Sequence, residues 1–412
     1  MHADRAIFYG WVVALSAFVV LFITYGVQYS FGVFVPGMLR DLNWPYTTLG
    51  GAFSLYSMVY AAFSFVSGRL TDTLGPRRVV GTGAVMLGAG IMLTSQISSP
   101  WQLYLSYGLV AAIGMSTAYI PCNMTVVRWF DRKRGLALGF ASSGSSFGLI
   151  VVPLIASVLI AQTDWRTAFL WLGMAVLALA ASSALFMVRS PELMGLVPDG
   201  TDNPVLRATE AAVSVDWSFG EARRTWPFWH FLLALTVTLI TVPVPFVHIV
   251  AFATDLGLSG QQGAWAVSII GLFAFIGGMT LGPLSDRIGR KNAFTVGLMA
   301  QVAAYLLFLT AESSKGLYLG AGAFGFFYGS VASLFPALVG DLFGRAHAGA
   351  IAGFLFGCAG ILGAWGPAVA GYLRDIGEDY RTAFLWATLS AIASLILFFT
   401  ISRPLPRTYC RP

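Results

Sequence analysis

Charge is scarce in this sequence. Asp, Glu, Lys and Arg make up 10% of the 412 residues, while 57% are hydrophobic. A soluble globular chain carries about 25% charged residues, so this one cannot furnish a wet surface. That excludes a soluble enzyme and a disordered chain. Cysteine is scarcer still: Cys122, Cys358 and Cys410 are odd in number and far apart, so no disulfide framework is implied. The net charge is +6, yet no basic face carries aromatic or groove-reading elements, and nucleic acid is excluded as a partner. No G-x-x-x-x-G-K-[ST] loop occurs, nor any metal-ligand spacing or nucleophile triad. The single G-x-G-x-x-G, Gly320 to Gly325, sits in an apolar run with no strand before it and fails as a dinucleotide site. No catalytic residue, metal or cofactor is expected.

What the chain has is apolar length. A membrane-crossing helix needs about 20 mostly apolar residues. Twelve such runs fall at roughly 7–36, 47–68, 79–97, 101–127, 135–160, 167–188, 228–253, 262–285, 292–311, 317–342, 348–373 and 382–402. The first is too long for a cleavable signal peptide, whose apolar core runs to about 7–15 residues. The sequence therefore predicts an all-α integral membrane protein, multi-pass, monomeric and embedded in the lipid bilayer. One long polar stretch, with Pro191, Pro198, Pro204 and Arg223-Arg224, separates two sets of six spans. It predicts a six-helix bundle over 1–188, a cytoplasmic linker over 189–226 with a short surface helix around 204–224, and a second bundle over 227–412. If both termini and the linker share a side, all of the 24 basic residues lie there except Arg40, Arg166, Lys315, Arg374 and Arg381. Lys and Arg gather in cytoplasmic loops. Both termini are thus expected in the cytoplasm and the chain in the plasma membrane, the inner membrane of a bacterial cell.

The two sets repeat each other. Gly68-Arg-Leu-Thr-Asp72-Thr-Leu-Gly75-Pro-Arg77-Arg78 returns 214 residues on as Gly282-Pro-Leu-Ser-Asp286-Arg287-Ile-Gly289-Arg290-Lys291. Asp164-Trp-Arg-Thr-Ala-Phe169 returns 215 residues on as Asp379-Tyr-Arg-Thr-Ala-Phe384. Matching spans with the same sidedness mean a parallel duplication, a known transporter plan. These residues resemble the major facilitator superfamily, whose motif G-x-[LF]-x-D-R-x-G-R-[RK] follows the second span and is echoed after the eighth. Arg128-Trp-Phe-Asp-Arg-Lys-Arg134-Gly135-Leu-Ala-Leu-Gly139, Pro191-Glu-Leu-Met-Gly195-Leu-Val-Pro198-Asp-Gly200 and Phe8-Tyr-Gly10-Trp11 resemble its branch of monocarboxylate transporters and oxalate/formate antiporters. The resemblance implies the major facilitator fold, with two parallel-repeat six-helix halves working by alternating access. It also implies a small organic acid as cargo, moved in symport with a proton.

The motif has a physical reading of its own. Gly68 and Gly282 let helix ends approach. Asp72 and Asp286 at the cytoplasmic rim can each meet a guanidinium or a helix N-terminus, a contact able to latch a rocking motion. Arg77, Arg78, Arg287, Arg290 and Lys291 either share in the latch or only set topology and cap helices.

Polar groups at membrane depth are functional candidates. Tyr25 and Gln28 share a face of span 1 with Tyr29; Tyr119 and Asn123 lie four apart in span 4 around Pro121; Ser145 follows Ser142 in span 5. His248 in span 7, beside Pro243 and Pro245, is the only mid-span histidine. It is a candidate proton carrier or a neutral hydrogen-bond partner. Tyr328 and Ser333 mark span 10. Glycines four apart in span 11 (Gly349, Gly353, Gly357) read as a packing surface. One departure limits the resemblance: the branch places a cation in span 8 where this chain has Gly278, and a lysine in span 11 near Cys358. A carboxylate would then be held by neutral donors such as Tyr119, Asn123 and Tyr328, or by His248 when protonated, which disfavours a dianion. Two alternatives stay open: export of a neutral, apolar metabolite, and a non-transporting membrane sensor.

Overall fold

The computed structural model describes residues 8–130, 133–197, 217–344, 348–377 and 379–401. Among them every regular element is helical, and eleven segments are long and apolar enough to cross a membrane. Span 3 is a helix too, Pro76–Thr94, but its arginines and glycines leave it less apolar than the rest. The surface helix expected around 204–224 falls mostly outside the described residues; at its end Ser218 and Glu221 form a capping box on the single turn Phe219–Ala222. Residues 8–42 and 55–197 group into one compact unit, and residues 43–54 with those from 217 onward into another. The second span, Tyr46–Leu74, therefore begins in one unit and continues in the other.

The repeated motif is a repeated backbone shape. Gly75 (φ +83°) and Gly289 (φ +85°) take left-handed conformations that glycine adopts without steric cost. Each hands the chain straight to the next helix, Pro76–Thr94 and Arg290–Leu309. A second repeat lies in the packing. A Cβ on Gly148 of span 5 (Arg134–Gln162) would stand 2.1 Å from the Phe22 carbonyl oxygen of span 1, and one on Gly363 of span 11 would stand 2.8 Å from the Leu239 carbonyl carbon of span 7. In each unit, then, the fifth helix lies backbone to backbone on the first. The glycine stripe expected at Gly353 and Gly357 does not pack: no atom lies within 4 Å of a Cβ built at either. Span 11 makes its close glycine approaches further along the chain, at Gly363, Gly366 and Gly371.

Among the described residues four spans are broken. Span 1 comprises Tyr9–Tyr29 and Phe31–Leu42, span 7 Trp226–Thr241 and Pro243–Asp255, and span 11 Ala348–Gly363 and Gly366–Gly377. Span 4 is helical up to Met115 and resumes as Tyr119–Trp129. In span 7 the cause is plain. Pro243 and Pro245 have no N–H, so the carbonyls of Leu239 and Thr241 lose their helical donors. Span 9 replaces one of them: the buried Tyr305 hydroxyl donates to the Thr241 carbonyl at 2.8 Å, and Gln301 Nε2 donates to the Thr241 hydroxyl at 3.0 Å. Tyr305→Phe should orphan that carbonyl, at a cost of about 1–3 kcal/mol. The expected result is a lower thermal unfolding midpoint of the purified protein. An unchanged midpoint would mean that the break does not depend on the phenol.

Candidate functional site

In the first unit, a polar cluster gathers around the break in span 1. The Tyr25 hydroxyl lies 2.9 Å from that of Tyr60 on span 2. The Tyr25 ring stands 5.8 Å from Tyr29 and, edge to face, 6.1 Å from Tyr119. Tyr119 opens the last segment of span 4, Tyr119–Trp129, and is 44% exposed. One turn on, Asn123 donates Nδ2 to the Tyr119 carbonyl (3.1 Å) and accepts from the Ser142 hydroxyl (3.0 Å). Ser145 donates to the Ser142 carbonyl at 2.8 Å. Gln28 sits one turn from Tyr25, half-buried, and its Oε1 is buried with no hydrogen-bond partner among the described residues. Spans 1, 4 and 5 thus bring together Tyr25, Tyr119, Asn123 and Ser145 in one set of contacts. Tyr60 is the member that sequence reasoning missed; its spacing of four from Tyr56 was the available signal. Tyr56 itself belongs to the core, stacked on Tyr107 at 4.7 Å, which stacks on Phe31 at 4.4 Å.

In the second unit, His248 is fully buried. Its Nε2 lies 2.9 Å from the Pro367 carbonyl of span 11 and its Nδ1 3.0 Å from the Tyr380 hydroxyl, just before span 12 (Arg381–Phe399). A carbonyl only accepts, so Nε2 carries the proton and Nδ1 of the neutral ring accepts from the phenol. Burial holds the Tyr380 phenol well above its usual range, which keeps it protonated. Both ring nitrogens of His248 are therefore engaged within this unit.

Around that node lie groups the sequence reading treated only as loop charges. Arg374 pairs with Asp255 (Nε to Oδ2 2.8 Å), and its guanidinium stands 4.9 Å from the Tyr46 ring and 5.6 Å from the Tyr380 ring. Asp375 accepts from the backbone N–H of Tyr46 (3.0 Å), that of Thr47 (2.9 Å) and the Thr47 hydroxyl. A carboxylate at a helix N-terminus is favourably placed, so Asp375 caps the second span. On span 10 (Ser314–Phe343), Tyr328 is half-buried with its ring 5.3 Å from Phe246, and the exposed Ser333 donates to the Ser330 carbonyl at 2.9 Å.

The motif residues divide. Gly68 packs against span 4, where a Cβ would meet Ile120 at 3.2 Å. Arg77, Arg78 and Arg287 are exposed. Arg290 forms an ion pair with Asp341 of span 10 at 2.7 Å. Lys291 donates to the carbonyls of Phe399 (2.8 Å) and Ile401 (2.6 Å), the negative end of span 12. These two cations therefore serve as a pair and a cap within their own unit. The side chains of Asp72 and Asp286, and Gly282, lie outside the described residues.

Duplicated six-span sets with interrupted helices carrying polar side chains define a membrane transporter. The model of the Major Facilitator Superfamily matches residues 17–251 and 230–409, and the chain belongs to that family. It is accordingly a multi-pass transporter and not an enzyme. It is 29% identical over 408 residues to monocarboxylate transporter 13 of Bos taurus, covering 96% of this chain and 91% of the relative. It is 26% identical to monocarboxylate transporter 12 of Homo sapiens, over 94% of this chain and 80% of the relative. Among solved structures, a bacterial homolog of the human lysosomal transporter Spinster aligns with TM-score 0.75 at 14% identity, covering 97% of this chain and 98% of that one. The nucleoside transporter NupG aligns with TM-score 0.72 at 13% identity, over 94% and 98%. These two likenesses speak for the fold alone.

Proposed function

We propose that this chain is a secondary transporter of a small organic acid of the monocarboxylate kind, moved together with a proton by alternating access. The observation that carries the reading is the match to monocarboxylate transporters along nearly the whole chain. The chemistry of the first unit is compatible with it. Tyr25, Tyr60, Tyr119 and Asn123 offer hydroxyl and amide groups and no cation, enough for one carboxylate or its protonated acid and poor for a dianion. Gln28 and Ser145 complete the solute contacts proposed for the first unit; those proposed for the second are His248, Tyr328 and Ser333. Bundles at 1–188 and 227–412, joined by a cytoplasmic linker and with both termini in the cytoplasm of a plasma membrane, are the arrangement we take for it. The latch role of Asp72 and Asp286 belongs to the same proposal.

The test is flux in proteoliposomes. A pH gradient, acid on one side, should drive accumulation of a short monocarboxylate, and a protonophore should abolish it. No gradient-driven flux of any such acid would end this reading. The cation-free cluster favours a second one, passage of a neutral metabolite, in which flux would be indifferent to the protonophore.

A further inference from the structure

The opening turns of span 2 are held by span 11, and one carboxylate closes the joint. The residue ahead of Tyr46 is Pro45, which has no capping side chain, so the first N–H groups of that helix must be met from elsewhere in the fold. Asp375 meets them, accepting from Tyr46 N–H (3.0 Å), Thr47 N–H (2.9 Å) and the Thr47 hydroxyl. Behind the cap the helices touch backbone to backbone. A Cβ on Gly371 would stand 2.8 Å from the Tyr46 carbonyl oxygen, and one on Gly50 would run into the Pro367 carbonyl. One turn past Gly50, the buried Ser54 hydroxyl accepts from the Ala368 N–H at 3.2 Å. Beyond Ser54 the span continues in the other unit.

Small residues account for the closeness but leave the cap dependent on charge. All three described donors to Asp375 are neutral. Its hold comes from charge-assisted bonds, roughly twice as strong as neutral ones, and from the positive end of the span 2 helix. Protonation removes the charge and turns one oxygen into a donor that faces donors. The hold is therefore present above the titration of this carboxyl and lost as pH falls through it. The other titratable groups about the joint are occupied. Asp255 of span 7 pairs with Arg374 at 2.8 Å, and His248 has both nitrogens engaged, one of them by Tyr380. Asp379, ahead of span 12, accepts from the Arg381 N–H at 2.9 Å, and the Tyr46 ring stands 4.9 Å from the Arg374 guanidinium. Asp41, ahead of span 2 in the sequence, accepts from the Trp165 indole at 2.6 Å. Glu378 lies outside the described residues.

We propose that Asp375 is a proton-operated fastener: ionised, it holds span 2 against span 11, and protonated, it lets the two helices part. Opening of the transporter at this end of span 11 is thereby tied to proton uptake by one carboxylate. This rests on the reading of the chain as an alternating-access transporter and gives that reading a residue at which the proton acts.

The test is the exposure of position 54 in the full chain, held in lipid nanodiscs with no solute added. Ser54 is 3% exposed, so in Ser54→Cys the rate of alkylation by a charged maleimide reads opening of the joint. The rate is divided by that of the same cysteine in denatured protein at the same pH, and peptide mass separates position 54 from Cys122, Cys358 and Cys410. Between about pH 7.5 and about pH 4.5, across the carboxylate range, the normalised rate should rise about ten-fold. Adding Asp375→Asn should make it fast at both ends, while Asp375→Glu and Asp255→Asn should each keep the rise. Thr47→Val removes one donor to the ionised form, so its opening should move to higher pH; that shift decides the matter if Asp375→Asn does not fold. A rate in Ser54→Cys that is independent of pH, slow or fast, overturns the proposal. So does a rise that survives Asp375→Asn or disappears with Asp255→Asn, and so does an unmoved opening in Thr47→Val. If the joint answers to pH as described while proteoliposomes show no gradient-driven flux, the fastener stands and the organic-acid reading falls alone.

Discussion

Replacing His248 with leucine should lower the thermal unfolding midpoint of the purified protein by several degrees, corresponding to about 2–5 kcal/mol. The figure follows from what the ring holds. Both nitrogens are bonded, Nε2 to the Pro367 carbonyl at 2.9 Å and Nδ1 to the Tyr380 hydroxyl at 3.0 Å. Leucine takes up similar volume but satisfies neither, and each buried group left unpaired costs about 1–3 kcal/mol. The bonds also tie the second segment of span 7, Pro243–Asp255, to span 11 and to the start of span 12. Tyr380→Phe removes one of the two bonds and should cost about half as much. The measurement separates the two roles open to this histidine. A proton carrier without structural duty would give a leucine variant that melts like wild type and loses only the pH dependence of transport. A ring that pins helices together gives the reverse order of effects, with melting hit first.

Much of this architecture was legible because membrane-spanning helices announce themselves by length and by apolar composition. The break in span 7 could be read from Pro243 and Pro245, since a missing N–H is a property of the residue itself. The break in span 1 could not. Ser30 has no proline beside it, and Pro36 lies inside an unbroken helix, Phe31–Leu42. Pro153 likewise sits inside the continuous helix Arg134–Gln162. Proline supplies a reason for a break without deciding that one occurs; the neighbouring helix decides, by whether it offers a substitute donor or a close packing face.

The candidate site was legible one helix at a time. Periodicity placed Tyr25 with Gln28 and Tyr119 with Asn123, each pair on one face. It could not place Ser142 opposite Asn123, or Tyr60 opposite Tyr25, because those contacts join different helices. The Asp375 cap on Tyr46 and Thr47 spans more than three hundred residues of sequence, and nothing local to either end marks it. Arg374 was counted as a topology charge for the same reason: its partner Asp255 is on another span. The duplication itself explains part of the difficulty. The scaffold glycines repeat, but the polar groups set on the scaffold do not. In one unit Trp165 donates to Asp41 at 2.6 Å; at the matching positions of the other, Tyr380 serves His248 and Asp255 serves Arg374.

Two glycines of span 11 should respond to alanine in opposite directions. At Gly366 a Cβ would stand 1.6 Å from the Ile240 carbonyl oxygen and 2.8 Å from its carbon. Those atoms are backbone and cannot rotate aside, so the two helices must separate. Overpacking of this kind costs about 1–3 kcal/mol and occasionally more, and Gly366→Ala belongs at the upper end because no side chain can yield. At Gly353 nothing lies within 4 Å. There alanine only improves the helix, by about 1 kcal/mol relative to glycine, and Gly353→Ala should melt at or above wild type. The Gly366 effect should also overlap with that of His248→Leu. Pro367, whose carbonyl His248 engages, is the next residue, so pushing span 11 off span 7 already weakens that bond. Residues that share a partner couple by about 0.5–3 kcal/mol, so the double variant should lose less stability than the two single losses added together. Full additivity would mean that the glycine contact and the histidine bond hold the two spans independently, and the joint between spans 7 and 11 would then be two separate fastenings instead of one.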